Sequence, residues 1–188
     1  MLQCNEEVSV NHKLYKIIKL LGHGKGGYSY LAKSNNELVV LKQIHHEPCD
    51  YYTFGNKIDA EINDYKRLCD ACINVPKMLD VDIKSERIIK EYIDGDVVSD
   101  LVKKNRMKDE YISQVRKMAE LAYNAGLNID YYPTNFIVQR NQNNEEVLFY
   151  IDYECNNYMA EWSFETWGLQ YWQKVEQEGN NELCNKGL

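Results

Sequence analysis

No apolar run in this 188-residue sequence approaches the roughly 18–20 residues needed to cross a bilayer. The first residues, Met1-Leu-Gln-Cys-Asn-Glu-Glu7, lack the basic start and apolar middle of a signal peptide. A cytoplasmic location is therefore expected, with the six cysteines as reduced thiols. A basic excess is lacking too: 22 Lys and Arg stand against 29 Asp and Glu, and the net charge of −7 argues against a nucleic-acid surface. Neither nucleic acid nor membrane is expected as a partner, although an acidic whole is compatible with a local positive pocket for phosphates. One cysteine pair, Cys69-Asp-Ala-Cys72, has metal-ligand spacing, but no second Cys or His pair of matching form completes four ligands. At the end of a helical pattern, those thiols are expected to be small buried hydrophobes. Internal repeats and low-complexity linkers are absent. What is present, 44% hydrophobic and 27% charged residues, suffices for a core in one domain, whole or divided into two small lobes.

The chemistry concentrates in Leu127-Asn-Ile-Asp-Tyr-Tyr-Pro-Thr-Asn-Phe-Ile-Val138. This stretch sets a carboxylate, Asp130, and a carboxamide, Asn135, on one short loop around Pro133, and the strand-like run Phe136–Val138 follows at once. A second apolar run, Val147–Ile151, ends on another acid, Asp152. Two short strands carrying oxygen ligands, with a loop acid just before them, suit a metal–nucleotide site. Phosphoryl transfer then requires a phosphate cradle and a lysine elsewhere in the chain.

Both have candidates. Leu14–Leu21 reads as a strand and runs into Gly22-x-Gly24-x-x-Gly27. In a dinucleotide-binding unit that motif opens a helix. Here it enters the strand-like Tyr28–Ala32, a turn at Ser34–Glu37 and the strand Leu38–Lys42. Glycines at such a turn let backbone N–H groups approach phosphate oxygens, although a plain glycine-rich hairpin has the same local sequence. Lys42 closes its strand. Nineteen positions later Glu61 lies on a helical pattern whose apolar face is Ile58, Ile62, Tyr65 and Leu68, from where it could hold the Lys42 ammonium. His45 and His46, adjacent in an irregular connection spanning His45–Asn56, face opposite ways if extended, so no metal role is expected of them.

Val75-Pro76 is expected to end that helix. The strands Met78–Val81 and Arg87–Ile93 follow, joined by a polar turn at Lys84–Glu86, and Asp94-Gly95-Asp96 makes a break. Helices are expected over Val97–Lys104 and Lys108–Asn124, the second with Gly126 at its C-terminal cap. The aromatic tail has helical phasing from Glu161 to about Glu178, and its rings are expected in the core rather than in a ligand cage.

Taken in order, Gly22-x-Gly24-x-x-Gly27, Val39-Val-Leu-Lys42, Glu61 on a helix, Glu91-Tyr92-Ile93, Asp130-x-x-x-x-Asn135 and Asp152 resemble the protein-kinase-like superfamily. The likeness covers roughly residues 14–154 and is to a small atypical bacterial-type Ser/Thr kinase-like protein. It implies an α+β, two-lobe fold in a single domain. An antiparallel β-sheet N-lobe with one helix would occupy about 1–93, a hinge about 91–96, and a reduced, mainly helical C-lobe about 97–188.

The resemblance also implies ATP and Mg²⁺ as cofactors. Gly22, Gly24 and Gly27 would cover the phosphates, and Lys42, held by Glu61, would contact them. Asp130 would take the proton of an acceptor hydroxyl, Asn135 and Asp152 would bind the metal, and backbone groups of Glu91–Ile93 would hold the adenine. Asn128-Ile129-Asp130 departs from the usual His-Arg-Asp. Asp152-Tyr153-Glu154 replaces Asp-Phe-Gly and is similar to choline kinases and aminoglycoside phosphotransferases. No Ala-Pro-Glu motif follows, and Lys90 falls at the usually apolar gatekeeper position. The implied activity is transfer of the ATP γ-phosphoryl group to a hydroxyl of unknown identity, on a Ser/Thr protein or a small molecule. The alternative is a pseudokinase or nucleotide-binding interaction module.

Overall fold

A computed structural model describes residues 1–48 and 55–173. Its first half is built by β1 (Glu7–Val10), β2 (Lys13–His23), β3 (Gly27–Ser34), β4 (Glu37–Ile44), α1 (Lys57–Asp70), β5 (Met78–Asp82) and β6 (Arg87–Glu91). The strands form one antiparallel sheet in the order β1-β2-β3-β4-β6-β5. Alternation sorts their side chains. Tyr15, Ile17, Tyr30, Ala32, Val39, Leu41 and Ile89 form a core on one face, and Ile44 and Ile88 meet Ile58 of α1 on the other. Lys42 shares parity with Ile44, and Lys90 with Ile88, so both lysines fall on the face turned to α1. Val40 pairs with Lys90 and Lys42 with Ile88, which makes the two lysines near neighbours across the ladder.

Helix α1 is capped by the Asn56 side chain, which accepts from the Asp59 N–H. Its N-terminal half packs Ile58 on the sheet and its C-terminal half packs Leu68 into the core below. A fully buried aliphatic side chain contributes about 2 kcal/mol, so two such anchors fix the helix and with it Glu61. The helix stops at Asp70, six residues before Pro76. The break belongs to Cys72, whose φ of +58° lets the Ile73 N–H reach Leu68 O at 2.9 Å. Proline therefore does not end this helix. Cys69 and Cys72 are exposed rather than buried, because the turn carries both out of the core.

The second half comprises β7 (Asp96–Val97), α2 (Val98–Lys103), α3 (Asp109–Asn124), β8 (Leu127–Ile129), β9 (Phe136–Arg140), β10 (Glu146–Tyr150), β11 (Cys155–Asn157) and α4 (Leu169–Trp172). Small sheets β10-β9-β7 and β11-β8 lie against α3, which buries Tyr111, Val115, Met118 and Ala122. Gly126, at φ +69°, follows α3 as its sequence position suggests. Gly95 permits a close crossing, since a Cβ there would lie 2.3 Å from Val138 O.

The tail departs from the continuous helix expected from Glu161. Ala160–Trp162 makes a 3-10 turn, and Ser163 caps the next turn by accepting from the Thr166 N–H. Phe164–Gly168 is underwound into a wide turn, and only Leu169–Trp172 is α-helical. Packing explains the distortion, because Gly168 lies where a Cβ would come within 2.6 Å of Tyr131 Cβ. Phe164 and Trp172 are buried, so the core role expected for the aromatic tail holds for them, while Trp162 is 48% exposed. The rest of the expected helix, 174–178, lies outside the described residues. Among the described residues no helix is long and apolar enough to cross a membrane.

Candidate active site

Strand β4 delivers Lys42 into the space between the sheet and the β10–β11 connection. Its ammonium pairs with Glu61 of α1 and lies 3.9 Å from Asp152 Oδ1. Burial works against the Lys42 charge, but Glu61 and Asp152 outweigh it and hold its pKa above the ordinary lysine value. Burial likewise disfavours the Asp152 carboxylate, yet Lys42 and Lys90 hold its pKa below the usual range. The other carboxylate oxygen of Glu61, Oε2, is buried without a hydrogen-bond partner among the described residues. A native structure leaves few such groups, and this one marks a place where a donor is wanted.

The Asp130 loop is assembled from β8 downward. Asp130 Oδ1 accepts from the Tyr132 N–H at 3.0 Å, and Pro133–Asn135 follows as a 3-10 turn with proline at its start. The Ile151 N–H donates to Asn135 O at 2.9 Å, which sets Asn135 beside the segment carrying Asp152. Tyr150 makes a second tie: its hydroxyl donates to Glu154 O at 2.7 Å and accepts from the Asp130 N–H at 3.3 Å. Loop acid, carboxamide and Asp152 thus share one hydrogen-bonded frame. No sequence motif points to Tyr150.

The glycine segment is a tight hairpin in which Gly24 and Gly27 exchange backbone hydrogen bonds at 3.1 and 3.3 Å. Gly27 is obligatory, since a Cβ would sit 2.6 Å from Gln43 O; Gly22 and Gly24 have open space at theirs. Gly26, outside the expected motif, lies over the site: its Cβ position is 3.6 Å from both Lys42 Nζ and Glu61 Oε1. At the other end of the cleft, Glu91 donates its N–H to Lys77 O at 2.9 Å, and its carboxylate accepts from the Lys77 N–H at 3.1 Å. Ile93, just beyond the strand, is buried.

Neither a family model nor a curated protein matches the sequence. Among solved structures the chain is similar to the BubR1 kinase domain, with a TM-score of 0.58 and 21% identity over 83% of this chain. The fold is protein-kinase-like. The match covers 51% of that domain, so the chain spans about half the length of the structure it resembles.

Within this kinase-like frame the departures have structural consequences. Asn128, buried at β8, donates to Trp162 O at 3.1 Å and accepts from the Met159 N–H, so it holds the tail rather than facing the cleft. Trp172 donates its indole N–H to Tyr131 O at 2.7 Å, which ties the tail to the residue after Asp130. Tyr153 turns inward, donating to Pro76 O at 2.7 Å and packing against Tyr65 of α1. Lys90 donates to Ile151 O at 2.7 Å and stands 3.8 Å above the Tyr153 ring. Burial, helped by the nearby Lys42 charge, pushes its pKa down to about 8. Lys25, at the tip of the glycine hairpin, pairs with Glu154 at 2.7 Å and so draws the hairpin onto the Asp-Tyr-Glu segment.

A concavity of about 560 Å³ lies elsewhere, between β7, α3 and β9. Its charges answer one another: Lys108 and Arg140 both pair with Glu146, and Arg106 lies 3.7 Å from Asp96. Those cations hold the Glu146 carboxyl down at about 2. The cleft at Lys42 is the better candidate, because its charges converge on one point and leave a buried carboxylate oxygen unsatisfied.

Proposed function

We propose that the protein is a phosphotransferase that moves the γ-phosphoryl group of Mg-ATP to a hydroxyl acceptor, Ser/Thr protein kinase-like in type. The observation that carries this reading is the pairing of Lys42 with Glu61 opposite Asp152, on the frame that joins Asp152 to Asn135 and Asp130. A carboxylate and a carboxamide oxygen are hard donors of the kind Mg²⁺ takes, and Gly26 brings the glycine hairpin directly over Lys42 and Glu61. Bound Mg²⁺ would supply positive charge against that building on the phosphoryl group.

In this reading Asp152 and Asn135 hold the metal. Lys42 binds phosphate oxygens as a permanent cation. Asp130 takes the acceptor proton as the new oxygen–phosphorus bond forms and the bond to the β-phosphate oxygen breaks. Gly22–Gly27 lie over the phosphates. The Glu91 carbonyl and the Ile93 backbone face the adenine, since the Glu91 N–H is engaged by Lys77.

Thermal melting with ATP, with and without Mg²⁺, tests this first, because a ligand of the native state raises the melting temperature by mass action. A Mg-dependent rise is expected in wild type and its loss in Asp152→Ala. No rise with either addition in wild type sinks the proposal. Asp130→Ala is expected to abolish turnover while leaving ATP binding nearly intact; equal loss of both would contradict its role.

The second reading, a pseudokinase or nucleotide-sensing module, is favoured by Lys90 and Lys25, cations of the chain itself that reach the Asp-Tyr-Glu segment. ATP binding without turnover on any acceptor would select it. The Asp152-Tyr153-Glu154 form favours a small-molecule acceptor, and a panel of proteins, sugars, amino-alcohols and aminoglycosides discriminates.

A further inference from the structure

On the outer side of the glycine hairpin, β2 ends on His23 and the chain leaving β4 begins with His45. The pairings His23 with Tyr28 and Gly27 with Ile44 bring these two strand ends together. His23 Nε2 lies 3.2 Å from His45 Nε2 and 3.4 Å from Glu47 Oε2. The Gly24 carbonyl oxygen lies 2.9 Å from the same His45 nitrogen. His46 turns the other way and pairs with Glu86 at 2.6 Å, so the adjacent histidines do diverge, as their sequence positions suggest. The partner of His45 comes from a different strand.

These separations match a coordination shell. A tetrahedral ion with bonds of about 2.0–2.1 Å to imidazole nitrogen and carboxylate oxygen holds its ligand atoms about 3.3–3.4 Å apart. Among the described residues, His23, His45 and Glu47 are the only group of three or more His, Cys, Asp or Glu whose ligand atoms gather within 4.8 Å. A second layer orients them. Tyr28 stacks on His23 at 4.2 Å between ring centres, nearly parallel, and its hydroxyl donates to Glu47 Oε1, leaving Oε2 turned toward His23. Outer-shell partners of this kind fix the rotamer and ring plane of metal ligands.

We infer that His23, His45 and Glu47 form a zinc-class transition-metal site, with the Gly24 carbonyl or a water as fourth donor. The donor set of two imidazoles and one carboxylate suits Zn²⁺ rather than Mg²⁺, which prefers oxygen alone. Binding has a cost that the geometry specifies. His45 Nδ1 accepts from the Glu47 N–H at 3.2 Å, so in the neutral ring the proton sits on Nε2. To ligate through Nε2 the neutral ring must carry that proton on Nδ1 instead, so the bond from the Glu47 N–H is given up for the metal bond.

The mechanical consequence follows from Lys57, whose ammonium donates to both Lys25 O at 3.0 Å and His45 O at 2.6 Å. A metal at His23 and His45 would add a second clasp between hairpin and β4 end, holding the glycine hairpin in place. The metal site stands whether or not the phosphotransferase reading does.

The experiment titrates the metal-free full chain with Zn²⁺ against a chromophoric chelator, and with Co²⁺ followed by visible absorption. One equivalent of Zn²⁺ is expected, and the intense bands of four-coordinate Co²⁺ without thiolate charge transfer. His23→Ala and His45→Ala should each abolish stoichiometric binding; His23 is nearly half exposed, so the fold survives. Tyr28→Phe should weaken binding about 10-fold, and His46→Ala should leave it unchanged. Absence of stoichiometric binding in wild type overturns the inference. So does binding that survives loss of His23 or His45, or that shows thiolate bands, since the metal would then sit on cysteines.

Discussion

Lys42 and Lys90 occupy the two ends of one cleft, on neighbouring strands and on the same sheet face, with 8% and 5% of their surface exposed. Near-equal burial has opposite results. At the Lys42 end two carboxylates outweigh desolvation and the ammonium is held charged. At the Lys90 end the close partners are a carbonyl oxygen and an aromatic face, and the pKa falls to about 8. Burial alone therefore does not decide the charge of an interior lysine; the carboxylates within reach do. One end of the cleft carries a permanent cation, the other a group that titrates near neutral pH.

The largest effect that tests this contrast is expected from Glu61→Gln. Removing one partner of a buried ion pair costs about 3–5 kcal/mol, because the remaining charge is left uncompensated. Urea unfolding measures it, and a loss below about 1 kcal/mol would mean that Asp152 alone sustains Lys42.

Next in size is Lys90→Met, expected to stabilise the protein at pH 7 by on the order of 1–3 kcal/mol. The pH dependence carries the sign. The folded pKa of Lys90, about 8, lies below the ordinary 10.5, so between those values the unfolded chain binds more protons and wild-type stability rises with pH. Lys42, raised above 10.5, contributes stability that is complete below that value and lost only above it. The advantage of Lys90→Met should therefore shrink between pH 8 and pH 10, and an equal advantage at both would show that Lys90 does not titrate there.

The smallest effect on stability belongs to Lys25→Ala. Its ion pair with Glu154 is about one-third exposed on each side, and such pairs contribute about 0–1 kcal/mol. The variant should melt close to wild type but show a larger ATP-dependent shift, because the hairpin is no longer drawn onto Glu154. A smaller shift would make Lys25 a phosphate ligand instead.

Much of the sheet half is legible in the sequence because its signals are local. Short apolar, β-branched runs between turn residues mark β2 to β6, and the apolar stripe from Ile58 to Leu68 marks α1, so the meeting of Lys42 with Glu61 comes out of two elements read separately. The remaining parts of the site depend on contacts between distant positions. Lys25 meets Glu154 across 129 residues, and Asn128 meets Trp162 across 34. Neither pair has a periodic signature. Tyr150 looks like one apolar residue of a strand, yet its hydroxyl joins the Asp130 loop to Glu154. The tail reads as a continuous helix because its phasing is helical, while Gly168 against Tyr131 imposes a wider turn.

All three tryptophans, Trp162, Trp167 and Trp172, lie in that tail. Their positions give the molecule an optical bias. Intrinsic fluorescence reports the helical lobe and the ground beneath Asp130, through the Trp172 indole bonded to Tyr131 O, and is nearly blind to the six-stranded sheet. Far-ultraviolet circular dichroism, by contrast, sees the strands as well. Denaturation curves from the two probes should coincide if α1, packed into both cores, makes the lobes unfold as one cooperative unit. Fluorescence change at constant dichroism would mark a chain whose floor beneath Asp130 loosens while its lysine-bearing roof stays folded.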